Sequence, residues 1–167
     1  MQKIAQFFRV SEAQLRADWQ KCLPERPMPE AIRLPRRATA GSAGYDFFSP
    51  VDFTLAAGES ILLPTGIRAR MDEGWVLTVF PRSGLGFKFR LMLANTVGII
   101  DADYYDAKNE GHILLKLVNA NAEGKTLSIA AGDAVAQGIF LPFGITVDDA
   151  AEGARVGGLG STSERRI

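Results

Sequence analysis

Asp101 and Asp103 are the residues of this chain whose types and spacing most suggest chemistry. They interrupt GIIDADYY (98–105), a stretch that begins as a buried strand would. Aspartate is depleted in strands and is seldom buried without a partner. At i, i+2 both side chains would leave one face of a regular strand, so their repulsion needs a cation, a metal ion or water. A carboxylate held this way can orient a water molecule and take its proton. The plainer reading is a pair of solvated aspartates at a hairpin end, and these residues alone leave both open.

Three other stretches are too polar or too rich in glycine for their surroundings. Asp46 follows the turn in AGSAGYDFFSP, where an ordinary turn aspartate is equally natural. PRSGLGFKF brings together Arg82, Ser83, Gly84 and Gly86. Glycine lets backbone N–H groups approach an anion, serine adds a hydroxyl and arginine a forked cation, a set that suits phosphate. The C-terminal GGLGSTSERR repeats that combination. His112 is the only histidine and Cys22 the only cysteine, so a His–His metal site and an internal disulfide are excluded. His112 reads as structural. With no GxxxxGK[ST] loop and no zinc-deaminase cysteine pair, carboxylate-and-metal chemistry on a phosphorylated ligand remains.

The elements that must position these residues are short strands. From Tyr45 to Phe143, apolar or alternating runs (FTL, SILLP, GIRARM, GWVLTVFP, HILLKLVN, KTLSIA, AVAQGIFLPF) are separated by Gly, Asn and Asp turns. This predicts an all-β, jelly-roll-like sandwich or barrel over residues 34–150. Residues 1–33 differ. They predict a short strand, a helix over SEAQLRADWQK with Ser11 and Gln14 at capping-box spacing, and a stiff connector with three prolines. Residues 151–167 read as a flexible tail. The 167 residues suit a single domain. Nineteen basic and nineteen acidic residues argue against a general affinity for nucleic acid or anionic membrane. The apolar runs are too short to span a bilayer, and a cytoplasmic protein is expected.

Taken in order, the motifs resemble those of the trimeric dUTPases. AGYD (43–46), PRSGLG (81–86), ANTVGIIDADY (94–104), GDAVAQ (132–137) and GGLGST (157–162) are similar to that family's five motifs. The resemblance implies a homotrimeric dUTP diphosphatase with Mg²⁺ as cofactor, each site drawing on more than one subunit. It implies Asp101 as the residue that activates water and Tyr104 as the wall that excludes a ribose 2′-OH. Asn95, Gly98, Ile99 and Ile100 would form the uracil hairpin. Arg82, Ser83, Gly84 and Gln137 would contact phosphate, and Leu159, Gly160, Ser161 and Thr162 would close over it. The Mg²⁺ would be held mainly by substrate phosphates, with water-mediated help from Asp46. Asp103 would brace the hairpin.

The sequence departs from the family pattern in three places. The hairpin after Tyr104 is longer by about five residues, a 105–110 insert open to a docking role for a protein partner. Leu159 stands where the family offers a phenylalanine to stack on the base, with Tyr105 and Phe87 as candidate substitutes. Arg155 is one residue off register with the usual arginine of the tail. Two other readings stay open: a catalytically weak dUTP-binding regulatory protein, and a dCTP deaminase-like enzyme of the same superfamily.

Overall fold

The computed structural model describes residues 2–153, 155 and 157. Alternation of apolar and polar residues becomes strands throughout, and the chain is all-β with two short helices. In order the elements are β1 (Ala5–Arg9), α1 (Glu12–Cys22), β2 (Arg36–Arg37), β3 (Tyr45–Phe48), β4 (Phe53–Leu55), β5 (Ser60–Pro64), β6 (Ile67–Met71), β7 (Trp75–Pro81), α2 (Ser83–Phe89), β8 (Leu91–Leu93), β9 (Gly98–Ile100), β10 (Leu114–Asn119), β11 (Leu127–Ile129) and β12 (Ala134–Pro142). All pairings are antiparallel. One sheet runs β2-β3-β12-β7-β9, a second β5-β10-β8, and β1-β6 and β4-β11 form two-stranded ribbons. Inward residues such as Phe47, Leu63, Leu77, Val79, Leu117 and Val135 are buried in one core, as the period-2 pattern requires. No helix among the described residues is long and apolar enough to cross a membrane.

The N-terminal segment shares that core. β1 pairs with β6 along its whole length, and Phe7 meets Tyr45, Phe47 and Phe140 at ring separations of 5.3, 5.6 and 5.5 Å. In α1, Leu15 and Trp19 face inward, and the Trp19 indole donates to the Arg26 carbonyl (2.9 Å), pinning the proline connector. Ser11 caps the helix by accepting from the Gln14 N–H (3.1 Å). The return half of the expected capping box is made differently. Gln14 turns to Asp18 (2.7 Å), and the Ser11 N–H donates instead to Glu110, far along the chain (2.8 Å).

Both glycines of PRSGLGFKF sit within α2, in its first turns. Arg90 ends that helix in the left-handed region (φ 50°).

Candidate active site

The aspartates of GIIDADYY leave the sheet before they can sit on one strand face. β9 ends at Ile100, Asp101 is extended (φ −77°, ψ 157°), and Ala102–Asp106 is a 3-10 helix. One cation nevertheless holds both carboxylates. Arg155 donates from Nε to Asp103 (2.8 Å) and from Nη2 to Asp101, with its guanidinium 5.7 Å from the centre of the Tyr104 ring. The repulsion expected from the sequence is thus offset by an arginine of the tail, at the position whose role the spacing had put in doubt.

Asp101, Tyr104 and Arg155 line a cavity of about 470 Å³ with Asn95, Val97, Ile99, Ile100, Ile113 and Leu114. One wall is β9, which among the described residues pairs only with β7 (Leu77 with Ile100, Val79 with Gly98) and is the outer strand of its sheet. Backbone groups on its other edge are free to bond a ligand. A Cβ on Gly98 would come within 3.2 Å of Val79, so glycine keeps β9 close to β7. The turn before it is tight: Thr96 is left-handed (φ 66°) and its N–H donates to the Leu93 carbonyl (2.9 Å).

Tyr104 forms another wall, with only 7% of its surface exposed. Burial pushes the phenol pKa up, which keeps the hydroxyl protonated. It donates to the His112 carbonyl (2.8 Å) and accepts from Asn109 Nδ2 (2.8 Å). His112 is fully buried. Its Nε2 accepts from the Gly66 N–H (2.8 Å), so the proton lies on Nδ1, which donates to Asp18 of α1 (2.7 Å). The structural reading of this lone histidine holds, and burial lowers its pKa. Cys22 has its thiol pKa raised, chiefly by burial, which makes it a poor nucleophile.

A second group forms around β3 and β12. The Gln137–Asp46 strand pair sets these side chains beside Arg82, which donates to Asp46 (3.1 Å), while Gln137 donates to the Pro81 carbonyl (3.3 Å). Ser83 and Gly84 open α2, where first-turn N–H groups lack helical partners. A Cβ on Gly84 or Gly86 would touch nothing within 4 Å, so these glycines leave an open face rather than fill a crowded one. The cavity lining contains none of Asp46, Arg82, Ser83, Gly84 or Gln137. Within one chain the two groups therefore do not share this cavity. Leu159, Gly160, Ser161 and Thr162 lie outside the described residues. A larger groove of about 690 Å³, lined by residues such as Arg26, Asp52 and Asp133, takes only Asp133 from the motifs and none of the residues assigned to the site.

A dUTPase family model matches residues 30–162. The chain belongs to the dUTPase family. The deoxyuridine 5′-triphosphate nucleotidohydrolase of Lactococcus lactis is 41% identical over 134 residues, 78% of this chain and 88% of that one. The dUTPase crystal structure from Streptococcus mutans superposes with a TM-score of 0.62 at 35% identity, covering 86% and 98%. A dUTPase of phage phi11 of S. aureus, whose structure shows a structural Mg(II) ion, shares the fold at 22% identity (TM-score 0.63, 90% and 98%). The family match begins near the end of the N-terminal segment, so β1 and α1 fall outside it.

Sequence reasoning missed the support behind Tyr104. Asp18 lies in α1, outside the family match, Asn109 in the 105–110 insert and His112 just after it. The insert also folds onto its own chain. Tyr105 packs edge-on to Phe8 (5.7 Å) and beneath the Arg68 guanidinium (3.6 Å), so its ring is not free to stack on a base. Phe87, the other candidate, is 91% exposed on α2.

Proposed function

We propose that this dUTPase hydrolyses dUTP to dUMP and diphosphate with Mg²⁺, as a homotrimer with shared sites. The observation that carries the reading is the cavity where Asp101, the free edge of β9 and the buried ring of Tyr104 meet. Uracil bonds the backbone of 98–100, and Asn95 completes that hairpin. The deoxyribose lies against Tyr104, where a 2′-OH would collide. Asp101 orients a water and accepts its proton as the oxygen attacks the α-phosphorus. The bond to the bridging oxygen breaks and diphosphate leaves. Arg82, Ser83, Gly84 and Gln137 bind phosphate oxygens from a neighbouring subunit's part-site, with Leu159, Gly160, Ser161 and Thr162 closing over them. This explains why one chain keeps the two groups apart. Alternate exposed residues Leu141, Phe143, Ile145 and Val147 at the end of β12 and beyond supply apolar surface for that assembly.

The donor set fits a metal carried by the substrate. Among the described residues no cluster of three or more His, Cys, Asp or Glu side chains could hold an ion, and Asp46 is already paired with Arg82. Mg²⁺ commonly rests on phosphates with one or two carboxylates and several waters. Asp46 would assist through water, and the bound ion would offset charge on the phosphate oxygens. The test is diphosphate release from dUTP, dTTP, dCTP and UTP, each with Mg²⁺ and with EDTA. Metal-dependent release from dUTP alone is expected. Ammonia release from dCTP would instead indicate a deaminase, and dUTP binding without turnover a regulatory protein.

A further inference from the structure

Helix α1 lies outside the family match, yet it is fastened at two points to the segment that carries Tyr104. Both the Ser11 N–H and hydroxyl donate to the Glu110 carboxylate (2.8 and 2.6 Å). Two turns further on, Asp18 accepts a hydrogen bond from the Nδ1–H of His112 (2.7 Å). The same Asp18 oxygen accepts from Gln14 (2.7 Å), so the helix fixes that carboxylate before it meets the imidazole. These attachments flank Gly111, where the chain doubles back. There φ is +65°, and a Cβ would stand 2.5 Å from the Tyr104 carbonyl oxygen. His112 is locked on both ring nitrogens, and its carbonyl receives the Tyr104 hydroxyl. The helix thus reaches the nucleotide cavity through one ring and one carbonyl.

We propose that α1 is a positioning element for Tyr104, and that Asp18, acting through His112, sets how strictly the site refuses ribose. This rests on the dUTPase reading above. Without the Asp18 bond the imidazole loses one of its two restraints and the 112 carbonyl can shift. The phenol ring then tilts from the sugar, making room for a 2′-OH while leaving Asp101 and the phosphate contacts in place. Small displacements of a positioning group carry large kinetic effects.

The test compares kcat/KM for dUTP and UTP in the full chain and in D18A, D18N, E110A and L127A. Asp18→Ala is expected to lower the dUTP:UTP ratio about tenfold, through the two KM values more than through kcat. Asp18→Asn keeps an acceptor for both His112 and Gln14 and is expected to restore the ratio. Leu127→Ala loosens the core at β11, away from the cavity, and should lower the melting temperature without moving the ratio. Should Asp18→Ala fail to fold, Glu110→Ala releases the exposed fastening alone and should lower the ratio in the same direction. An unchanged ratio in whichever of Asp18→Ala and Glu110→Ala folds, or an equal fall in Leu127→Ala, would overturn the proposal. Absent dUTP turnover in the unaltered chain would instead remove the enzymatic reading beneath it.

Discussion

At the residue scale, Asp101 and Asp103 share one arginine but not one task. Asp101 lines the cavity, whereas Asp103 binds Arg155 from outside the lining. Ion pairs this exposed contribute little to stability, about 0–1 kcal/mol. Asp101→Asn should therefore leave the melting temperature nearly unchanged while kcat for dUTP falls about 10²- to 10⁴-fold. Single-turnover kinetics beside a thermal melt separate the two effects. Retained wild-type turnover would remove Asp101 from the role of base. Arg155 itself shows what spacing cannot settle. A guanidinium reaches far enough to meet either phosphate or carboxylate, so one residue of offset in the tail does not predict its partner.

At the scale of elements, legibility followed local periodicity. The strands, the Ser11 cap and the inward face of Leu15 and Trp19 were readable because each depends on neighbours in sequence. What escaped were bonds between distant elements: Ser11 with Glu110, Asp18 with His112, Tyr105 between Phe8 and Arg68. PRSGLG was recognisable as a motif but not as a helix, since two glycines lower helix propensity and hide the period. The burial of His112 also makes stability depend on pH. Burial holds the folded His112 below its ordinary pKa of about 6.5. Between those two values the unfolded chain binds the extra proton, so stability falls as pH drops. Asp18 and Glu110 face the ring and oppose the shift without reversing it. Glu110 adds a second loss in more acid solution. Its carboxyl is held below the usual range, chiefly by the Ser11 hydroxyl, and protonating it removes the bond. Urea melts from pH 8 to 5 should show a falling midpoint beginning near pH 6.5, without a change in slope. A flat profile over that range would contradict a neutral buried imidazole.

At the scale of the molecule, the proposed sharing of sites between subunits predicts that catalysis is a property of the assembly. Two inactive chains, Asp101→Asn and Arg82→Ala, should complement each other when co-expressed, because mixed trimers bring together intact halves. Random mixing would restore roughly a quarter of the wild-type sites, measured as dUTP turnover against the separately purified variants. Recovery no greater than their sum would place the whole site within one subunit. The outer position of β9 has a further consequence. Backbone groups proposed to bind a pyrimidine are equally open to a strand from another protein, and such an edge invites fibre growth. β9 is only three residues long, and the turn at Thr96 and the helical turn after Asp101 bound it on either side. Three residues suffice for a ring with three hydrogen-bonding positions and offer a poor template for a second chain. In the proposed complex the nucleotide takes the place of a missing strand, and the brevity of β9 guards that place against being filled by anything longer.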